Sequence, residues 1–332
     1  MNVLIVRLGA LGDIVHAVPA VAAIRDAYPD ARIDWLVEQR HRSMVDHVTV
    51  IDRTIVLERA SLGGWVAVMR TLRAAAYDVA VDFQGLLKSA VLARASGAAR
   101  VVGFSIWHLR EKSARPFYSS AAPGEGRHVI HKNLALLRAL GIQGGEIRFP
   151  LAPVISPALA ELTRRLDGRP FALVNPGAAW PNKRWPAQCF GELCAFLREA
   201  AGLVPVVAWG PGEETVADAV IASSANTAVL APRTTVPDLV AMCRAATVVV
   251  SGDTGPLHIA TAVGAPTVSL FGPTDPARNG PWTDADISVS RFDGCECHYE
   301  RRCHTSRWCL GDLTVAEVSA AVQQRLAGGI RG

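Results

Sequence analysis

The stretch from Ala246 to Pro276 limits what this chain can fold into more than any other part of it. Thr247–Val250 is an apolar run of strand length. Ser251-Gly252-Asp253-Thr254-Gly255-Pro256 is a turn that opens a helix, with Pro256 suited to the first helical turn. Gly264 stops that helix, and Thr267–Phe271 is the next apolar strand. A helix that begins at the carboxyl end of a parallel strand has unpaired N–H groups and the positive end of its dipole. An open α/β sheet binds phosphate there. The segment therefore points to a diphosphate-bearing ligand. The same residues equally suit a plain βαβ unit, with Asp253 and Thr254 as caps, Gly255 as a turn glycine and His258 as an ordinary helix side chain.

A second loop of this type tips the balance. Asn2–Val6 is an apolar strand, Arg7-Leu8-Gly9-Ala10-Leu11-Gly12-Asp13 a glycine loop, and Ile14–Ala27 a helix with apolar residues at Ile14, Val15, Val18, Val21, Ala22 and Ile24. Gly9 and Gly12 let the backbone turn tightly and let a ligand come close. Asp13 falls at the N-cap or in the first turn, which is also an ordinary place for a purely structural aspartate. The loop has two glycines and no acidic residue at the right place after the second strand, so it fits the dinucleotide-binding fingerprint poorly.

At 332 residues, half of them hydrophobic, the chain has core enough for about two domains of roughly 150 residues. Strands are expected near 2–7, 32–37, 54–58, 78–82 and 100–104, with helices near 13–27, 62–75, 86–96 and 129–140. The Gly- and Pro-rich stretch Gly141–Arg169 reads as the domain linker, with a short helix near 157–166. Strands near 171–175, 204–208, 227–230, 246–251 and 266–270 follow. Helices near 186–200, 212–223, 236–243, 255–263 and 314–327 go with them. This alternation predicts two αβα domains, 1–155 and 168–312, with the glycine turns of both lining a cleft. The final helix lies within 313–332, and a return to the N-terminal domain is one placement for it.

No apolar run approaches the roughly 18 residues that span a bilayer. The N-terminus lacks the pattern of a signal peptide, so a cytoplasmic location with reduced cysteines is expected. The formal net charge of +4 is unevenly placed. Arg100, Arg110, Lys112, Arg115, Arg127 and Lys132 face only Glu111 and Glu125 in that stretch, which also carries Trp107, His108, Phe117 and Tyr118. It reads as a loop facing an acidic substrate or a membrane surface, or as a solvated surface loop. No helix has a basic face of the kind that binds nucleic acid, and no such partner is expected.

Leu173–Pro186 reads as a strand end, a loop and a helix start, with Lys183 and Arg184 in the loop. A lysine there can neutralise a phosphate leaving group, or can be a plain surface residue. Trp209-Gly210-Pro211-Gly212-Glu213-Glu214 follows the next strand. Either glutamate can bind ribose hydroxyls or simply start the next helix.

Arg7–Pro19, Tyr77–Ala90, Asn175–Pro186, Trp209–Glu214 and Asp253–Asp275 together resemble glycosyltransferase family 9, the heptosyltransferases, and within it most closely the type I members. The likeness covers most of the chain and includes Asp82–Ala90, Leu109–Lys112 and Phe271–Pro276. It implies a GT-B fold, two Rossmann-like αβα domains facing each other across a cleft. It also implies an inverting, metal-independent and cofactor-free transfer of heptose from ADP-heptose to the Kdo region of lipid A, in lipopolysaccharide inner-core synthesis. Asp13 would be the general base. Lys183, Glu213 (or Glu214), Asp253, Thr254, Gly255 and His258 would bind the donor. Gly12, Lys88 and Arg110 would face the anionic acceptor. The enzyme would work in the cytoplasm, peripherally on the inner face of the cytoplasmic membrane. This chain has Ala178 and Ala179 where some relatives have hydroxyl residues before the lysine.

Another sugar donor or a later core acceptor is an alternative within the family. Outside it, the alternatives are a nucleotide-sugar epimerase or hydrolase on the same scaffold, and a non-catalytic nucleotide-binding module. Cys295, Cys297, Cys303 and Cys309, with His298 and His304 between them, have a spacing that permits a structural zinc or iron–sulfur site. They equally permit a cysteine-rich tail with no metal. Cys189, Cys194 and Cys243 read as helix core positions.

Overall fold

The computed structural model describes residues 1–58, 62–305 and 308–329. The chain divides into two compact units, Met1–Ala152 and Pro153–Gly332. The first contains β1 (Asn2–Val6), α1 (Leu11–Ala27), β2 (Arg32–Glu38), α2 (Arg42–Val45), β3 (Arg53–Leu57), α3 (Leu62–Ala74), β4 (Val79–Asp82), α4 (Leu87–Ala95), β5 (Arg100–Phe104), β6 (Ser120–Ala122) and α5 (Val129–Leu136). Its parallel sheet has the order β3-β2-β1-β4-β5-β6.

The second contains α6 (Pro157–Arg165), β7 (Phe171–Asn175), α7 (Ala187–Glu199), β8 (Val204–Val207), α8 (Glu214–Ser223), β9 (Val229–Leu230), α9 (Val236–Ala245), β10 (Val248–Gly252), α10 (Gly255–Ala262), β11 (Thr267–Phe271), α11 (Pro276–Asn279), β12 (Ile287–Ser290) and α12 (Val315–Ala327). Its parallel sheet runs β12-β11-β10-β7-β8-β9. Counted from each unit's own first strand, both sheets have the order 3-2-1-4-5-6 of a doubly wound fold. The likeness between the two halves is therefore one of topology as well as of their opening loops. Two Rossmann-like domains are what the GT-B reading required.

Burial explains why these segments form these elements. In β4, β7 and β10 every residue is buried, the mark of a central strand covered on both faces. Helix α1 is buried from Ile14 to Ile24 and carries α5 on its surface, where Asn133 Nδ2 donates to the His16 carbonyl at 2.9 Å. Each sheet has one strand more than the sequence predicts. Ser120–Ala122 is too short and small to form an apolar run, and Ile287–Ser290 is a half-buried edge strand. Helix α1 also starts two residues early, at Leu11, with Ala10 as N-cap and Asp13 inside the first turn. The linker breaks between Ala152 and Pro153, so α6 belongs to the second unit, where Ser156 Oγ donates to Asp238 Oδ1 at 2.6 Å.

Helix α12 packs within the second unit, where Val318, Ala321 and Val322 join the core with Leu193 and Leu197 of α7. Burial there takes Arg325 out of water, so it needs a counter-charge. Arg325 Nε meets Asp286 Oδ1 at 2.9 Å, and both side chains are almost fully buried. Asp286 also accepts from Thr267 N at 3.1 Å and from Thr283 Oγ1 at 2.9 Å. No helix among the described residues is long and apolar enough to cross a membrane.

Removing one member of a buried pair strands the other charge, at about 3–5 kcal/mol. Arg325→Ala is therefore expected to destabilise the protein by that amount in urea unfolding. A loss within about 0.5 kcal/mol, the usual range for a surface substitution, would show that the pair does not anchor α12.

Candidate functional site

In a sheet of this order the chain leaves the two central strands toward opposite faces, so a crevice opens at their carboxyl ends. In the first unit these are the ends of β1 and β4. Arg7, buried at the end of β1, ties them together. Its Nη1 donates to the Phe83 carbonyl at 2.5 Å and its Nη2 meets Asp13 Oδ2 at 2.6 Å. Gln84 Oε1 accepts from Leu8 N at 2.8 Å. The glycine loop is thus fixed to the loop after β4, and Asp13 to Arg7.

Arg110 Nη1 approaches the same Asp13 oxygen at 3.9 Å from an exposed side chain. Its loop is held because Glu111 Oε2 accepts from Leu87 N, at the start of α4, at 2.7 Å. Lys88 Nζ lies 2.8 Å from Glu38 Oε1, and Glu38 also pairs with Arg40 at 2.8 Å. Lys88 is therefore paired with an acid of its own domain. Gly12 sits in the first turn of α1 beside Asp13.

Behind this crevice, Asp82 is fully buried. Its Oδ2 accepts from Tyr118 Oη at 2.7 Å and Ser89 Oγ at 2.8 Å, and its Oδ1 from Gln84 N at 2.8 Å. Burial pushes its carboxyl above the usual carboxylate range, against the pull of those hydrogen bonds. The network sets the position of Gln84 and through it Leu8. His41, from the turn after β2, packs its ring against Gly9. Its Nε2 is buried with no hydrogen-bond partner, and burial lowers its pKa, as does Arg40.

In the second unit the corresponding crevice lies at the ends of β7 and β10. Asp253 is buried one residue past β10. Its Oδ2 accepts from Lys183 Nζ at 2.6 Å and Thr274 Oγ1 at 2.7 Å, and its Oδ1 lies 3.3 Å from His258 Nε2. Burial alone would raise its pKa. The His258 hydrogen bond and the Lys183 charge outweigh that and hold the carboxyl far below the usual range. Asp253 is thus an anchor for Lys183 and His258, not the helix cap that the plain reading makes it. Gly252 lets the Lys183 loop come this close, since a Cβ there would stand 2.9 Å from the Lys183 carbonyl oxygen. Lys183 Nζ also lies 4.4 Å from the centroid of the Trp180 ring.

Thr254 is the N-cap residue of α10, but its hydroxyl does not cap the helix. Oγ1 accepts from Asn175 Nδ2 at 3.2 Å and lies 3.3 Å from Ser251 Oγ. A helix N-terminus that no side-chain hydroxyl caps can accept an anion, and here it begins at Gly255, two residues after the Asp253 that holds Lys183. The two candidate glutamates differ. Glu213 is half-buried, its Oε2 accepts from Gly210 N at 3.0 Å, and a Cβ on Gly177 would stand 2.2 Å from its carboxylate. Glu214 is exposed at the start of α8. Of the two, Glu213 lies between the loops that follow β7 and β8.

The cysteine-rich segment packs on the same unit. Cys295, Cys297 and Cys309 form a buried cluster with Cys303 against it, and all the cysteines are free thiols. Among the described residues Cys297, Glu300 and His304 bring metal-capable atoms within 4.8 Å of one another. Cys194 and Cys243 are buried in helices, their thiols pushed up to about 12 by burial. Arg7, Glu38, His41 and Asp82 are among the polar groups of these crevices to which sequence reading gave no role of their own. Arg7 carried a signal, an arginine directly after an apolar strand. The other three become visible only through their tertiary partners.

Residues 65–309 match the model of a family described as glycosyltransferase family 9 (heptosyltransferase). Lipopolysaccharide heptosyltransferase 1 of Pseudomonas aeruginosa is 29% identical over 317 residues, 91% of this chain and 87% of the relative. The crystal structure of the glycosyl transferase family 9 protein of Veillonella parvula superposes with a TM-score of 0.83 at 19% identity, over 99% of this chain and 97% of that one. The Escherichia coli heptosyltransferase WaaC with ADP gives 0.75 at 24% identity, over 99% of each chain.

The depressed pKa of Asp253 has a definite sign. The folded state binds the proton less tightly than the unfolded chain, so the group's stabilisation is present above an unfolded value near about 4 and persists well below it. The 13C carboxyl resonance of Asp253 is expected to stay that of a carboxylate at roughly pH 3. Titration near about 4 would show that Asp253 is not paired in this way.

Proposed function

The chain belongs to glycosyltransferase family 9, the heptosyltransferases, and from that premise we propose that it transfers heptose from ADP-heptose to the Kdo region of lipid A with inversion at the anomeric carbon. The observation that carries this reading is the anion-binding corner of the second unit. The first turn of α10 and the Lys183 ammonium, held by Asp253, converge at the ends of β7 and β10. Fixed N–H dipoles and an ammonium stabilise the charge that develops on a departing diphosphate. Glu213 accepts hydroxyl hydrogens from the ribose. His258, held by Asp253, serves the donor sugar and phosphates.

The first unit supplies the acceptor chemistry. Asp13 takes the proton from the acceptor hydroxyl as its oxygen attacks the anomeric carbon and the bond to the diphosphate breaks. Arg7 holds the carboxylate in place. Arg110 and Lys88 face the carboxylates of Kdo, Lys88 turning from Glu38 to do so. The exposed Trp107, with Arg110 and Lys112 near it in sequence, supports the reading of a peripheral enzyme that meets an anionic membrane surface.

The first test is ADP release from ADP-heptose with and without Kdo-bearing lipid A. Release that requires the acceptor is expected. Release without it points to an epimerase or hydrolase, and none in either case to another donor or a later core acceptor. Asp13→Asn should lower kcat by about 100- to 10,000-fold while leaving ADP affinity within a factor of about two. Near wild-type turnover would remove Asp13 as base. Lys183→Ala and Glu213→Ala should each weaken ADP binding, and Glu214→Ala should not. The reverse order for the glutamates would overturn the choice of Glu213.

A further inference from the structure

The corner around Lys183 has less positive charge than its lysine suggests. The Lys183 ammonium and the Asp253 carboxylate, 2.6 Å apart, cancel, and the N-terminus of α10 adds about half a charge. A nucleotide-sugar diphosphate has an ionised oxygen on each phosphate, so a further cation beside the pair would strengthen its binding.

The hydrogen bonds of Asp253 lead to one. Asn279 Nδ2 lies 3.5 Å from Asp253 Oδ2, the oxygen that also accepts from Lys183 and Thr274. The other end of the same amide, Asn279 Oδ1, accepts from Arg278 Nη1 at 3.3 Å. A single amide thus separates the Arg278 guanidinium from the carboxylate that holds Lys183. Both residues belong to α11, which follows the Thr274 turn and is fixed there because Asp275 Oδ1 accepts from Ala277 N at 2.9 Å.

Arg278 is half-buried, and its polar partners among the described residues are that amide and the Tyr299 ring, whose centroid lies 5.6 Å from the guanidinium carbon. Neither is an anion, whereas Arg7, Arg25, Arg291 and Arg325 each meet a carboxylate. The ring is itself held. Tyr299 N donates to the Pro273 carbonyl at 2.8 Å, and Phe292 meets the ring edge-on with centroids 5.8 Å apart. An aromatic face steadies a guanidinium without neutralising it, and most of its N–H fork remains for a ligand.

We propose that Arg278 is a second cation for the diphosphate of the donor, forming charge-assisted hydrogen bonds to the phosphate oxygens beside Lys183. This rests on the proposed function. A guanidinium fork matches two phosphate oxygens at once, where Lys183 acts as a point charge. A carboxylate of the acceptor has the same chemistry. The diphosphate is favoured because Lys183, the first turn of α10 and Arg278 all belong to the unit that carries the anion-binding corner.

The test uses the full-length protein and compares its affinities for ADP and adenosine by calorimetry. Arg278→Gln should bind ADP about 10- to 100-fold more weakly and adenosine within a factor of about two of wild type. Arg278→Lys, which keeps the charge and loses the fork, should recover part of the ADP affinity. Equal losses for ADP and adenosine would overturn the contact and leave Arg278 a support for Tyr299. Unchanged ADP affinity would also overturn it, and a raised KM for the Kdo-bearing acceptor in the same variant would assign the arginine to a carboxylate. If wild-type protein binds no ADP, the donor reading fails and the contact falls with it. If wild type binds ADP and the variant binds it equally well, only the contact fails.

Discussion

Two neighbouring parallel strands whose connections leave toward opposite faces of a sheet cannot cover their own carboxyl ends. The backbone groups and helix N-termini there must find side chains, water or a ligand. In this chain the constraint applies twice, between β1 and β4 and between β7 and β10. Each crevice holds a polar loop fixed from the neighbouring strand's loop. Arg7 and Gln84 bridge the first and Lys183 and Asp253 the second. The same topology thus yields one corner that presents a carboxylate and one that presents cationic and N–H groups.

Charges out of water set the next level of organisation. An isolated buried ion costs several kcal/mol, so Arg7, Asp253, Asp286 and Arg325 all have opposite charges against them. Asp253 shows how pairing decides the outcome. Burial works against its charge, and Lys183 and His258 reverse that. Asp82 is the contrasting case, with hydroxyl and amide donors but no cation among its hydrogen bonds, and there burial wins. One buried aspartate is therefore a fixed anion that orients a lysine. The other is a hub that orients Gln84 and, through it, the glycine loop.

These two modes fit the transfer proposed above, in which the protein holds reacting groups still rather than reacting covalently itself. Lys183 lies in the loop after β7, yet it is confined by Asp253 below and Trp180 beside it. Trp180 and the neighbouring Asn182 are in turn confined by the segment around Glu300 and Arg301. A cysteine-rich segment far from the glycine loop in sequence thereby bears on the loop that carries Lys183.

The sequence by itself determined the βα units, the two glycine turns and the positions of Asp13, Lys183 and Asp253 within them. Each of these is written in local order: a buried parallel strand is a continuous apolar run, and the turn that opens a helix has its own residue signature. The edge strands β6 and β12 left no such trace, because a short or half-buried strand has no apolar run to show. What only the tertiary structure decided is pairing. That Asp253 anchors Lys183, 70 positions away, that Glu213 rather than Glu214 turns inward against Gly177, and that α12 is held by Arg325 to Asp286 all depend on strand order and on which loops it brings together. Local sequence fixes the period and burial of an element. The partner of a charge is fixed by the cost of burying it alone, which exists only once the fold has closed around it.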